Sequence, residues 1–376
     1  MNQLVCNDCG KQFSLNEKLW RCGCGGVLDI EFEPDFPLDK IKQRNKNMWR
    51  YREAIPIAKD ADIISFDEGF TPLLNINFDG RSELIKQDHL FSTGSFKDRG
   101  ASVLVSKIKE LGIDEVVEDS SGNAGCAIAA YCARAGISCE IFVPNSIPPG
   151  KLAQIELYGA KLTKVPGSRE DTARAVIQAI EESQRYYASH SWNPFFFHGT
   201  KTFAYEVCEQ LGWEAPDSIV LPVGNGTLLL GAYIGFSELL NADIIEKLPK
   251  IIGVQASNCP PLYKAYQENL ETVPKIEAMD TIAEGIAIAE PIRGKQILKV
   301  IRKSNGEIIA VEDYEIVEAL RKMCSQGFYI EPTAAATIAG LNKLLKRINP
   351  DELVVSVLTG HGMKTTEKIQ KIMDSN

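Results

Sequence analysis

Short apolar runs that end in glycine-bearing loops and continue as helical patterns recur along most of this 376-residue chain, and no other feature limits its fold as much. EVVEDS leads into SSGNAG and then AGCAIAAYCARAG, whose small residues suit close helix packing. DSIVLPV leads into PVGNGT and TLLLGAYIGFSEL, and DELVVSVL leads into LTGHGMK. CEIFVP, KLTKV, KIIGVQA and EIIAVED have the same strand character, and REDTARAVIQAIEES reads as an amphipathic helix. Such alternation predicts an α/β fold of open, mostly parallel sheets joined by crossover helices. Ligands bind these sheets where strand carboxyl ends pass into helices, so the three loops are the first candidates for a site.

The length exceeds what one core usually spans, which predicts two lobes and a small appendage. Residues 1–35 are expected to form a cysteine-bearing, zinc-ribbon-like segment. Residues 36–90 and 195–376 are expected to form a larger α/β domain, and 91–194 a smaller one. With 41 basic and 50 acidic side chains the net charge is −9, which argues against general attraction to nucleic acid or anionic membranes. The run Ser218–Ser237 is uncharged and long enough to cross a membrane, but Pro222, Gly224, Asn225 and Gly226 divide it into strand, turn and helix. The opening MNQLVCNDCG lacks the basic and apolar regions of a secretory signal. A cytoplasmic protein is therefore expected, one whose ten cysteines stay reduced.

Lys97 lies among small residues in STGSFKDRG, at the start of the helical pattern DRGASVLVSKIKEL. A lysine that forms an imine must be partly neutral, and a helix N-terminus disfavours its charge. Taken alone, Lys97 reads first as a solvated lysine paired with Asp98, since most lysines are solvated. Ser120, Ser121, Gly122 and Asn123 supply hydroxyls, a side-chain amide and a backbone open to close approach. Gly224, Asn225, Gly226 and Thr227 would present amides and a hydroxyl to a phosphate at a helix start. Neither loop has the dinucleotide-binding glycine pattern.

Taken in order, GSFKDRG, SSGNAG, PVGNG and LTGHGMK resemble the motifs of fold-type II pyridoxal phosphate enzymes, with the nearest likeness to the threonine synthase family. The resemblance runs from DEGFTPLL near Glu68 to LTGHGMK near Lys364. It implies a tryptophan synthase β-like fold of two lobes with the cofactor between them, and a lyase or synthase of amino-acid biosynthesis. By this likeness Lys97 carries pyridoxal 5'-phosphate as an imine and moves protons at the substrate carbon. Asn123 would bond the cofactor's ring oxygen, Gly224 to Thr227 its phosphate, and Thr359 its pyridine nitrogen. Ser120 to Asn123 would also cradle the carboxylate of a small amino-acid substrate, and a homodimer is implied.

Two positions depart from the threonine synthase pattern. In His190-Ser191-Trp192-Asn193-Pro194-Phe195-Phe196, Phe196 stands where the family has a phosphate-gripping arginine, and Ala124 replaces a threonine. Phenylalanine cannot make a charge-assisted bond to phosphate. TIAEGIAIAEPIRG, with Arg293, looks more like threonine and serine dehydratases. The substrate group is therefore expected to meet His190, Phe196 and Arg293, and its leaving group stays open. His190, His198 and His361 each read either as a general acid or as a satisfied polar side chain. Alternatives are a dehydratase-like ammonia-lyase, a β-replacement enzyme akin to cysteine or cysteate synthases, or a degenerate scaffold with a partner-binding ribbon.

Cys6-x2-Cys9 and Cys22-x-Cys24 are two close pairs flanked by turn glycines. Four thiolates suit a tetrahedral structural zinc with no open position for catalysis, and four free thiols in a vestigial ribbon are the competing reading.

Overall fold

The computed structural model describes residues 2–374 apart from 79, 148, 168 and 184. Two compact units emerge, one of residues 1–68 with 97–200 and one of residues 69–96 with 201–376. The segment 36–68, expected with the larger domain, groups with the first unit. Trp49 Nε1 donates to Ser102 Oγ at 3.0 Å, and the Ile64 amide donates to Ser106 Oγ at 2.8 Å. Both partners lie on the helix Lys97–Glu110.

The first unit carries a four-stranded, fully parallel sheet in the order Lys161–Val165, Ser138–Pro144, Glu115–Glu118, Tyr186–Tyr187. The strands Glu115–Glu118 and Ser138–Pro144 are mostly buried as their apolar runs predict, while the edge strand Lys161–Val165 is half-exposed, and the helix Asn123–Ala135 follows Glu115–Glu118 as expected. A separate antiparallel sheet of Gln12–Ser14, Gln3–Cys6 and Leu28–Glu31 forms the N-terminal ribbon.

The second unit is built on six strands in the order Glu307–Val311, Lys250–Ala256, Ser218–Pro222, Val354–Val357, Arg81–Lys86, Leu73–Phe78. All pair in parallel except the outermost, Leu73–Phe78, which forms a hairpin with Arg81–Lys86. From Ser218–Pro222 the chain winds outward through two further strands and then returns to the other side as Val354–Val357. The winding direction reverses there, and open α/β sheets bind ligands at such a reversal. The uncharged run starting at Ser218 divides into the strand Ser218–Pro222, a turn and the helix Thr227–Asn241. No helix among the described residues is long and apolar enough to cross a membrane.

A buried ion pair ties the hairpin down. Lys86 and Glu206 are both fully buried at 2.8 Å, and the ammonium also donates to the Thr71 carbonyl at 2.6 Å and Gln210 Oε1 at 2.7 Å. Three donors thus meet three acceptors, the condition under which a buried lysine is tolerated.

In the first unit the short helix Pro194–Thr200 lies so near the start of Lys97–Glu110 that a Cβ at Gly199 would overlap the Arg99 carbonyl oxygen. The obstacle is backbone and cannot rotate away. Gly199→Ala is expected to destabilise the protein by about 3 kcal/mol or more, in the range of severe overpacking. The shift of the urea unfolding midpoint measures it, and an unchanged midpoint would contradict the close approach.

Candidate active site

In the first unit, Lys97 opens its helix half-buried, with Nζ 5.6 Å from the centre of the Phe196 ring. Phe196 is completely buried, because its ring fills the space where Gly100 has no side chain. It packs beneath the helix and is not an open wall. The residue that departs from the family pattern thus lies beside Lys97, as a packing group.

Ser120, Ser121, Gly122 and Asn123 form the turn from the carboxyl end of Glu115–Glu118 into the helix Asn123–Ala135. The Gly122 amide donates to Ser120 Oγ at 3.3 Å, and Ser121 to Asn123 are half-buried. Immediately before this turn, Glu118 is fully buried, and its Oε1 lies 2.7 Å from His190 Nδ1. Burial, reinforced by the neighbouring Asp119 charge, holds the Glu118 carboxyl well above the usual carboxylate range. The His190 ring meets Phe196 edge to face at 6.0 Å. Lys97, Phe196, His190 and the serine loop are therefore brought together within one unit. Glu118 was missed by sequence reasoning, although an acid closing the buried strand EVVE was a readable signal. His198 sits elsewhere in this unit, edge to face with Phe32 at 6.2 Å.

In the second unit, Gly224, Asn225, Gly226 and Thr227 follow the strand Ser218–Pro222 and open the 15-residue helix Thr227–Asn241. Gly226 takes the left-handed conformation at φ +76°, which a side chain would strain. The N-cap position is Gly226, which has no side chain to cap the helix. The segment Glu284–Ile286 covers Gly224, and Ile297 of the helix Gly294–Lys303 abuts Gly226. Arg293 stands at the start of that last helix, 2% exposed, with Nη1 donating to Gln296 Oε1 at 2.9 Å. Of the two bland readings, a helix cap or a surface salt bridge, the burial argues against the second, while Arg293 does occupy the N-cap position of that helix.

Thr359 follows the strand Val354–Val357, the parallel neighbour of Ser218–Pro222, so both loops leave the same edge of the sheet. Its carbonyl accepts from the Phe96 amide at 3.0 Å, and Ser95 bridges Gly360. The Thr359 hydroxyl is buried and has no hydrogen-bond partner among the described residues. Such an atom costs stability unless a ligand meets it. Beside it, His361 Nδ1 accepts from the Met363 amide at 3.2 Å, and its ring stands 5.6 Å from that of His89.

Pyridoxal phosphate fits these residues. In the second unit the orphaned hydroxyl of Thr359 offers a donor suited to a pyridine nitrogen and the helix start at 224–227 suits a phosphate; in the first unit Lys97 offers an amine.

The thiols of Cys6, Cys9, Cys22 and Cys24 all lie within 4.8 Å of one another, with Cys6–Cys24 at 3.5 Å and Cys9–Cys22 at 3.6 Å. Burial opposes ionisation of Cys6, yet the backbone amides of Cys9 and Asp8 bring its thiol down to about 7. The Gly26 amide favours the Cys24 thiolate, but the surrounding thiols push it up to about 12. Four such groups cannot all ionise without a cation.

Two open α/β units, a lysine at a helix start and an orphaned hydroxyl beside an uncapped glycine loop define the class, a fold-type II pyridoxal phosphate enzyme. Comparison with known proteins agrees. The family described as "Pyridoxal-phosphate dependent enzyme" matches residues 64–360, and the chain belongs to that family. It is 38% identical to the threonine synthase of Methanocaldococcus jannaschii over 96% of this chain and 92% of the relative. It is 34% identical to that of Methanosarcina acetivorans over 98% and 94%. Among solved structures, maize serine racemase superposes with a TM-score of 0.70 at 21% identity, covering 92% of this chain and 98% of that one, a likeness of fold. The chain is a pyridoxal phosphate-dependent lyase or synthase, and the dehydratase, β-replacement and non-catalytic alternatives are not favoured.

Two outcomes follow from this geometry. Thr359→Val, which removes only the hydroxyl, is expected to raise the dissociation constant for pyridoxal phosphate about tenfold, the value of one hydrogen bond, while Thr359→Ser retains it. Titration of the apoprotein by absorbance reads this directly. His89 supplies a pH test. Burial, with the adjacent His361 and against the opposing Asp88 charge, lowers its imidazole from 6.5 to about 4. A folded value below the unfolded one gives stability that is complete above about 6.5 and lost as pH falls through about 4. Urea unfolding at pH 7 and pH 4 is expected to show the wild type losing about 3 kcal/mol more than His89→Gln.

Proposed function

We propose that the chain makes threonine, the product for which its curated relatives are named, from phosphohomoserine and water, with release of inorganic phosphate. Identity over nearly the whole length of both relatives is the observation that carries this reading. Pyridoxal phosphate, when bound, stabilises negative charge on the substrate carbons and so makes loss of the leaving group feasible. Lys97 Nζ is the attachment point, and as a free amine it takes a proton from the α carbon and returns one. Asn123 bonds the cofactor's ring oxygen, and the amides of Gly224, Asn225, Gly226 and Thr227 with the Thr227 hydroxyl hold its phosphate. Thr359 donates to the ring nitrogen and, unlike a carboxylate, leaves it unprotonated, which suits elimination and replacement better than transamination.

Ser120, Ser121 and Gly122 cradle the substrate carboxylate beside Asn123. Glu118 fixes the His190 ring, which faces the substrate, while Phe196 packs behind it beneath the Lys97 helix. Because Phe196 carries no charge, the anionic end of the substrate is assigned to Arg293. We assign the protein to the cytoplasm and to a homodimer, and the three-stranded ribbon to one structural zinc. The thiol separations support the zinc, since tetrahedral zinc with bonds of about 2.3 Å spaces its sulfurs roughly 3.8 Å apart.

Supplying phosphohomoserine, serine and threonine separately tests the reaction. Phosphate release with threonine formation is expected only from the first. Keto acid from serine or threonine, with no phosphate release from phosphohomoserine, overturns the reading. Lys97→Ala is expected to lose the visible absorbance of the bound cofactor and to slow turnover by about a thousandfold or more. Metal analysis is expected to find one zinc per chain, lost in Cys9→Ser.

A further inference from the structure

The ribbon reaches the segment that carries His190 and Phe196. Its loop from Ser14 to Arg21 is closed at the base by Cys9 and Cys22, whose sulfurs are 3.6 Å apart, so the thiol cluster fixes where the loop projects. Within it, two residues before Cys22, Trp20 stands edge to face against Tyr187 at 5.1 Å and against Trp192 at 5.4 Å. The neighbouring Leu19 carbonyl accepts from the Tyr186 hydroxyl at 3.4 Å, and that hydroxyl accepts from Asn193 Nδ2 at 2.7 Å. Asn193 Oδ1 in turn accepts the Phe195 amide at 3.1 Å, at the start of the helix that bears Phe196. Nearer the ribbon's end, Phe32 meets His198 of the same helix.

The segment needs such support. Tyr186–Tyr187 is a strand of two residues at the edge of its sheet, registered with Val116 and Val117 alone. A pairing this short is weak in isolation. Three residues after it comes His190, held from the other side by Glu118. Trp20 and Trp192, both partly buried, pack against the core cluster of Val117, Phe142, Val176, Ile180 and Tyr187, so the loop is anchored on this unit's core.

We propose that the N-terminal ribbon is a metal-set brace for residues 186–198, with Trp20 as the positioning residue that places His190 for substrate. Metal in the ribbon would then govern substrate affinity at a distance while leaving cofactor attachment alone. The inference rests on the proposed substrate role of His190, and its first test does not depend on it.

That test is amide hydrogen exchange on the full-length, cofactor-loaded protein. Trp20→Ala, or removal of zinc by a strong chelator, is expected to speed exchange at 186–198 by about tenfold or more while the strands Ser218–Pro222 and Lys250–Ala256 keep their protection. Zinc added back is expected to restore it, and Trp20→Phe to retain most of it. Unchanged exchange at 186–198 overturns the brace. So does a uniform rise across the chain, which marks general destabilisation.

The second arm is kinetic. Trp20→Ala and the chelated protein are expected to show a KM for phosphohomoserine raised about tenfold, with kcat within about twofold and the visible cofactor absorbance unchanged. A lowered melting temperature with KM unaltered makes Trp20 merely structural and also overturns the proposal. Should the wild type not turn over phosphohomoserine, the proposed reaction fails, and the exchange measurement still decides the brace.

Discussion

The backbone contact between residues 99–100 and the helix Pro194–Thr200 is the constraint on which the first unit depends. Two glycines make it possible, Gly199 against the Arg99 carbonyl and Gly100 against the Phe196 ring. The helix that begins at Lys97 cannot rotate or slide without driving backbone into backbone, because interiors packed at crystal-like density have no slack to absorb it. Lys97 therefore has a fixed origin for its side chain, and the Phe196 ring below it is held by the same contact. A reactive amine on a long, flexible stem gains its precision from this rigid base.

Much of the fold was legible because local pattern and tertiary role coincide. Runs such as IVLP and VVSV, apolar on both faces, are found only where a sheet is covered on both sides, and glycine loops after them announced the strand ends. The loops at 120–123 and 224–227 were legible as turns from a strand end into a helix because glycine and small polar residues interrupt apolar runs there. The hairpin of Leu73–Phe78 with Arg81–Lys86 was harder to see. Its outer strand is half exposed and reads as connecting chain, and its buried Lys86 contradicts the apolar signature of a strand until Glu206 and Gln210 come into view. Tyr186–Tyr187 was too short to register as a strand at all.

The site was less legible than the fold, since pairing between residues distant in sequence leaves no periodic trace. Nothing in EVVEDS names His190 as the partner of Glu118, 72 positions away. Phe196 was visible as a departure from a family pattern, but only packing shows that it fills the gap above a glycine. Residues 36–68 likewise join the first unit through hydrogen bonds from Trp49 and Ile64 to helix serines, contacts that composition cannot express.

The interlocking of Trp20 with Tyr187 and Trp192 bears on how such a chain can be shortened or rearranged. A variant starting after the ribbon would not simply lose a small appendage. It would lay bare two aromatic rings at the edge of a four-stranded sheet, next to a two-residue strand whose outer backbone groups would face solvent. Apolar surface beside an open sheet edge invites pairing between chains. For this molecule the N-terminal cysteine ribbon is also an edge guard, and solubility as well as catalysis would register its loss.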